Sequence, residues 1–385
     1  MAILHTLIGA ATYLVPFIFV LTVVVFVHEL GHFLVGRWCG IRVDVFSLGF
    51  GRELAAFIDR KGTRWRLAAL PLGGYVKFHG DATAAGGTDD IAARKMPESE
   101  RAVSFFAQAV WKRAAVVAAG PIANFILAIV VFAGIFFVYG RAVLLPRVDS
   151  VIVGGAAEAA GFQKGDLILE IDGRRVDSFT ELQRIVTASA GQTLRVLVDR
   201  QGQAVTLSAT PRLSELTTPL GKSRAGVLGI NAGSHAQDWR IESYGIVDAT
   251  RLAFSESWFV VTRTSSYIAG LLTGRESPDQ LSGPAGLAQA SGEMAKIGFT
   301  AVLNLIAVLS ISIGLLNLMP IPLLDGGHLV FYMIEAIRGR ALNQKAQEFG
   351  FRIGLAVVGG LMIFATYNDL ARLLPAALSL FGVRS

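Results

Sequence analysis

Cysteine is nearly absent. Cys39 stands alone among 385 residues, so no disulfide closes within the chain and no thiolate pair can hold a metal. Its ordinary reading is a small buried hydrophobe. Charge is scarce too. Asp, Glu, Lys and Arg make up 17% of the residues, against about 25% in soluble globular domains. Apolar residues reach 53%, and the mean hydropathy is +0.54. This composition excludes an ordinary soluble enzyme and points to a membrane protein. The formal charge of +6 could suggest nucleic acid, but basic residues also gather on the cytoplasmic loops of membrane proteins. Their placement favours the second reading, so the lipid bilayer is expected as a partner and nucleic acid is not.

Four long apolar runs are present. Leu7–Val27 carries no charge and is long enough to cross a bilayer as a helix. It lacks the basic lead and small-residue cleavage site of a signal peptide, so it reads as a retained span. Ala114–Tyr139 follows Lys112 and Arg113. Ile297–Leu318 follows Lys296. Ile353–Leu374 is weaker, with Gly359 and Gly360 inside it and Asn368 and Asp369 near its end. The segment 33–113 has a net charge of +5, whereas 140–298 is neutral and the N-terminal lead has no Lys or Arg. The positive-inside rule therefore places 33–113 and 319–352 in the cytoplasm, and both termini with 140–298 outside.

The expected fold is a polytopic α-helical membrane protein of four transmembrane helices, divided as follows. The first span with its HELGH run covers 7–36. A cytoplasmic loop with membrane-associated β-hairpins covers 37–113, and the second span 114–139. An extracytoplasmic domain covers 140–245, with its core at 148–211. An amphipathic helix, expected near the membrane at 246–272, and a linker fill 246–296. The third span follows at 297–318, a cytoplasmic segment at 319–352 and the fourth span at 353–374. Within the cytoplasmic loop, Ile41–Phe78 alternates like strands, and Gly80–Glu100 reads as a mobile loop. In the external domain Asp172-Gly173 marks a hairpin. Ser178 followed by Glu181 reads as a capping box opening a helix that runs to about Ser189. Leu194–Asp199 and Ala204–Ala209 read as a hairpin around Arg200-Gln201-Gly202.

The chemistry centres on HELGH at 28–32. On a helix, positions i and i+4 share a face, so His28 and His32 can hold one zinc ion while Glu29 serves as general base. The first cation after the motif is Arg37. At 1.5 Å per residue, His28 lies about 13 Å below the cytoplasmic surface. An acidic side chain within a span costs about 2.5–3.5 kcal/mol, and ionisable residues there are functional hypotheses by default. A catalytic zinc needs a third protein ligand and one open position. Asp369 lies towards the wrong end of its span, and His79 lies in the cytoplasmic loop at a depth the sequence leaves open. The run NLMPIPLLDGGHLVF lies at the matching depth and contains both Asp325 and His328. Pro320 and Pro322 break the helix there, and side-chain chemistry prefers neither candidate.

HELGH in the first span, GPIANF in the second and NLMPIPLLDGG after the third together resemble the site-2 protease family, the M50-type intramembrane zinc metalloproteases. The stretch AAGFQKGDLILEIDGRRV resembles PDZ domains of bacterial proteases, and its place between spans two and three looks like the RseP branch, regulators of the sigma-E type. The resemblance implies that Asp325 is the third zinc ligand and Glu29 the catalytic glutamate. It implies that Gly73, Gly74 and Tyr75 of PLGGYVKF, Asn317, Pro320 and Pro322, and Asn124 of GPIANF handle substrate. For Asn124 the plain alternative is a polar residue joining helices. The implied activity is hydrolysis, within the membrane, of pre-trimmed single-pass proteins such as an anti-sigma factor or remnant signal peptides, in the bacterial inner membrane. The implied PDZ domain is periplasmic and captures peptide or protein C-termini, or serves as a size filter; a β-rich spacer is the plain alternative. The chain departs from its relatives in having one clear PDZ instead of two, and in Ser312 where some carry Asn. Two rivals remain at this stage. A non-catalytic anchor presenting a PDZ leaves the metal motif unexplained, and a transporter needs no HExxH.

Overall fold

A computed structural model describes residues 2–80, 96–218, 221–233, 238–274 and 282–380. The bulk of the expected mobile loop 80–100 and part of the linker before the third span lie outside the described residues. Two compact units emerge: residues 1–133, 250–265 and 278–385 form one, and residues 134–249 and 266–277 the other.

The first unit is built on four helices long and apolar enough to cross a membrane. Helix α1 runs Ala2–Trp38, and the short α2 Glu98–Arg101 precedes α3, Val110–Val138. Pro16 and Pro121 sit inside α1 and α3, as neighbouring helices allow in a bilayer. Between them the chain folds into two long bent strands, β1 Val43–Ile58 and β2 Arg64–Phe78. Phe46 pairs with Val76 on one side and with Trp65 on the other. The two strands thus curl into a small sheet whose outer edge is the 74–78 segment. Phe33 of α1, Phe46, Phe78 and Val116 of α3 pack together and dock this sheet onto the helices. At the turn, Arg37 and the Trp65 indole donate to Asp59. Burial alone would raise the Asp59 pKa, but these donors bring it down to about 2.

The other unit contains strands β3 Arg141–Leu144, β4 Val148–Val151, β5 Leu167–Ile171, β6 Arg174–Arg175, β7 Leu194–Arg200, β8 Gln203–Ala209, β9 Arg212–Thr218, β10 Gly221–Val227, β11 Ile230–Ala232 and β12 Trp239–Glu242, with helices α4 Ala156–Ala159 and α5 Phe179–Ala188. Its central sheet has the order β6-β5-β7-β8. Ile168, Ile171, Val196, Val198 and the inner face of α5, Leu182 and Val186, form the core. The turn signals act as expected: Asp172 and Gly173, like Gln201 and Gly202, take positive φ. Ser178 caps α5 by accepting from the Glu181 N–H. The Glu181 side chain reaches back one residue further than a capping box requires, to the Asp177 N–H.

Helix α6, Ile246–Leu272, matches the expected amphipathic helix. Ala249, Ala253, Ser257 and Val260 are buried along one face, while Phe254 and Trp258 are exposed. Beyond it the structure corrects three sequence expectations. The linker before the third span contains a helix, α7 Pro284–Ile297, separated by Gly298 from α8, Phe299–Asn317. Its Gly and Ala content had hidden it. The segment 319–352, expected to be a cytoplasmic loop, contains α9, Asp325–Arg338, whose apolar face was too short to read as a span. The fourth span is longer than 353–374: α10 runs Gln344–Leu380. Helix α7 docks on α1, where the Tyr13 hydroxyl donates to Glu293 and receives a hydrogen bond from Lys296. Asp369 of α10 is buried and accepts the Gly283 and Gly286 N–H groups at the start of α7.

Candidate metal centre

Three histidine and carboxylate side chains converge between α1 and α9. His28 and His32, one helical turn apart, both direct Nε2 toward Asp325. His28 Nε2 lies 3.2 Å and His32 Nε2 3.6 Å from Asp325 Oδ2, and the two Nε2 atoms are 3.2 Å apart. One ligand atom from each residue falls within 4.8 Å of the others, the one such group among the described residues. Asp325 opens α9 immediately after the turn formed by Pro320–Leu324, in which Leu323 takes a φ of 129°. Gly326 and Gly327 follow, and any side chain on either would strike the carbonyl groups of 318–321. This close packing holds Asp325 against α1. Asp325 Oδ2 is buried without a hydrogen-bond partner of acceptable geometry. Two imidazoles and a carboxylate whose free lone pairs share one point suit a divalent metal with nitrogen and oxygen ligands, zinc among them.

The wall around the centre explains why other donors stay out. Gly120 lies beside both histidines: a Cβ there would stand 2.3 Å from His32 Nε2 and 2.9 Å from His28 Cε1. His32 Nδ1 is 2.8 Å from the Val116 carbonyl. Because a carbonyl can only accept, that nitrogen carries the proton and Nε2 keeps its lone pair. His328 lines the same cavity, but its ring packs among Phe331, Tyr332 and Phe351. His79 pairs with Asp44, with Nδ1 3.0 Å from its carboxylate, and Asp369 serves α7. The choice between Asp325 and His328, open on side-chain chemistry, falls geometrically to Asp325.

A cavity of about 880 Å³ surrounds the group. Glu29, Gly73, Gly74, Tyr75 and Asn317 line it. Glu29 accepts a hydrogen bond from the Val76 N–H, so the sheet edge reaches the acid itself. Asn317 Nδ2 is 3.5 Å from His28 Nε2. Tyr75 stacks on Phe50, and Arg66 donates to its hydroxyl. Asn124 is wholly buried behind His28, with Nδ2 3.3 Å from Nδ1. Pro320 is exposed, and the Pro322 carbonyl faces Gly354 of α10, where no side chain would fit. The sequence reading missed Gly120 and Val116. The glycine could have been found from GPIANF, but the Val116 carbonyl carries no signal because any residue supplies one.

The comparisons agree with this geometry. The sequence profile described as Peptidase family M50 matches residues 16–361. A protein of Agrobacterium fabrum whose given name assigns it as a zinc metalloprotease is 51% identical over 363 residues, covering 94% of this chain and 96% of the relative. A similarly named protein of Rhizobium meliloti is 49% identical over 360 residues, covering 93% and 96%. Metalloprotease MmpA of Caulobacter vibrioides is 41% identical over 389 residues, covering 95% and 97%.

Proposed function

This chain belongs to peptidase family M50 and is a multi-pass membrane zinc metalloprotease, and from that premise we propose that it hydrolyses peptide bonds inside the bilayer, in membrane-spanning segments of single-pass proteins already trimmed outside. The convergence of His28, His32 and Asp325 within apolar helices, under a sheet edge, is the observation that carries this reading.

His28, His32 and Asp325 would hold the ion. Zinc, when bound, supplies Lewis acidity toward a water and the scissile carbonyl. Glu29 takes the water's proton and later delivers it to the leaving amine. Val76 restrains the Glu29 carboxylate through its N–H. A helical substrate hides its carbonyl groups, so it must unwind before attack. The 74–78 edge offers an extended segment a strand to pair with, and Gly73, Gly74 and Tyr75 form that part of the wall. The Asn317 amide lies where it can donate to a substrate carbonyl, and Pro320 and Pro322 shape the turn that delivers Asp325.

We assign the unit holding the β6-β5-β7-β8 sheet as a PDZ-type domain. A groove of about 170 Å³ between α5 and residues 226–230, lined by Phe179, Leu182, Val186 and Ile230, supports capture of a peptide C-terminus by strand addition along β11. The charge distribution supports an inner-membrane location with this domain periplasmic and the metal centre near the cytoplasmic side. The exposed Phe254 and Trp258 of α6 suit the outer lipid interface. The substrate class includes anti-sigma factors, as for a sigma-E regulator, and remnant signal peptides.

Glu29→Gln tests the mechanism. Zinc content and thermal stability stay close to those of the parent, while cleavage of a reporter span falls by about 10²- to 10⁴-fold. Parental cleavage by that variant would overturn it.

A further inference from the structure

We infer that Asn124 is the residue that orients His28 for zinc, by accepting the proton on its Nδ1. The inference rests on the zinc-peptidase reading above. His28 Nε2 points at His32 Nε2 and Asp325 Oδ2, each 3.2 Å away, so it is the ligand atom. To bind a cation it must present a lone pair, which puts the ring's proton on Nδ1. His32 meets the same demand through the Val116 carbonyl. For His28 the group facing Nδ1 is the Asn124 amide, 3.3 Å away.

Two orientations of that amide are open, since oxygen and nitrogen exchange on a half-turn. With Nδ2 toward the ring, an N–H would confront the Nδ1 proton, and Asn124 Oδ1 is left buried without a partner. Turned over, Oδ1 accepts from Nδ1 and the imidazole is held in its metal-binding tautomer. The side chain is placed for this task from behind. Ser310 of α8 donates to the Asn124 backbone carbonyl at 2.8 Å, and a Cβ added at Gly314 would stand 3.2 Å from the Asn124 Cβ. An acceptor behind a ligating histidine raises its basicity and fixes its ring, and losing one typically costs 10- to 100-fold in metal affinity. Asn124 is therefore a positioning residue that acts through His28.

Two variants of the full-length protein test this role. Zinc affinity is measured by competition with a chromophoric chelator, and the metal-free proteins are compared by thermal unfolding. Asn124→Leu keeps the volume without an acceptor and is expected to bind zinc on the order of 10- to 100-fold more weakly, with little change in the metal-free unfolding midpoint. Asn124→Asp keeps the acceptor and loses every donor, and is expected to bind zinc at least as tightly as the parent. Parental affinity in Asn124→Leu would overturn the inference, as would loss of zinc or of folding in Asn124→Asp. A parent that binds no zinc would instead overturn the reading beneath it.

Discussion

Glu29 is held by contacts that leave almost no slack. Gly74 lies against it so closely that an added Cβ would stand 3.0 Å from Glu29 Cγ, 2.8 Å from the Ser47 carbonyl and 3.1 Å from Val25 Cγ1. Gly74→Ala is therefore expected to displace the Glu29 carboxylate while leaving His28, His32 and Asp325 in place. Zinc content should stay at the parental level while the cleavage rate falls on the order of 100-fold, the cost of misplacing a catalytic group by about 1 Å. A purified variant that cleaves at the parental rate would show that the contact yields without consequence. At this scale the sequence was informative about donors and uninformative about support. HELGH identifies its own residues by helical spacing alone. The carbonyl behind His32 and the space beside Gly120 are properties of α3, some ninety residues away, and local spacing cannot register them.

Among the longer helices, α7 and α9 are the ones that the sequence pattern did not reveal. Helix α7 is short, rich in glycine and alanine, and its N-terminus receives its cap from another helix. Asp369 accepts two backbone N–H groups there, 3.0 Å and 2.8 Å away. Read along α10, Asp369 is an acidic residue near the end of a weak span; only its contact with Gly283 and Gly286 gives it a purpose. Asp369→Ala should leave these donors buried and unpaired, at a cost of about 1–2 kcal/mol. The apparent unfolding midpoint in detergent is expected to fall by a few degrees, with a smaller fall for Asp369→Asn, which keeps one acceptor. Equal midpoints for the parent and Asp369→Ala would remove the cap from the stabilising contacts of α10. The strands β1 and β2 were legible as alternation, but their path was not. Phe46 has a partner on each side, a pairing that depends on how the strands bend and on no local pattern.

For the whole molecule, the testable quantity is its orientation. Trp38 and Trp111, at the ends of α1 and α3, are 88% and 66% exposed and stand beside Arg37, Lys112 and Arg113, the arrangement of an aromatic belt at a cytoplasmic interface. In a Cys39→Ser background, Gln203→Cys should react with a membrane-impermeant maleimide added to cells whose outer membrane has been opened. Lys61→Cys should react only after the inner membrane is permeabilised. The reverse pattern would invert the topology and the proposed PDZ-type assignment's compartment with it. By itself the sequence determined the membrane class, the four spans and the helical pair of histidines, because hydropathy and helical period are local properties. Local pattern left open which donor completes the group; the family resemblance implied Asp325, and only the tertiary structure shows its carboxylate beside the two histidines. Asp325 and His328 lie three residues apart and each can ligate zinc, and the tight turn through Pro320–Leu324, with the glycines packed behind it, directs the first toward His28 and His32 and leaves the second among aromatic rings.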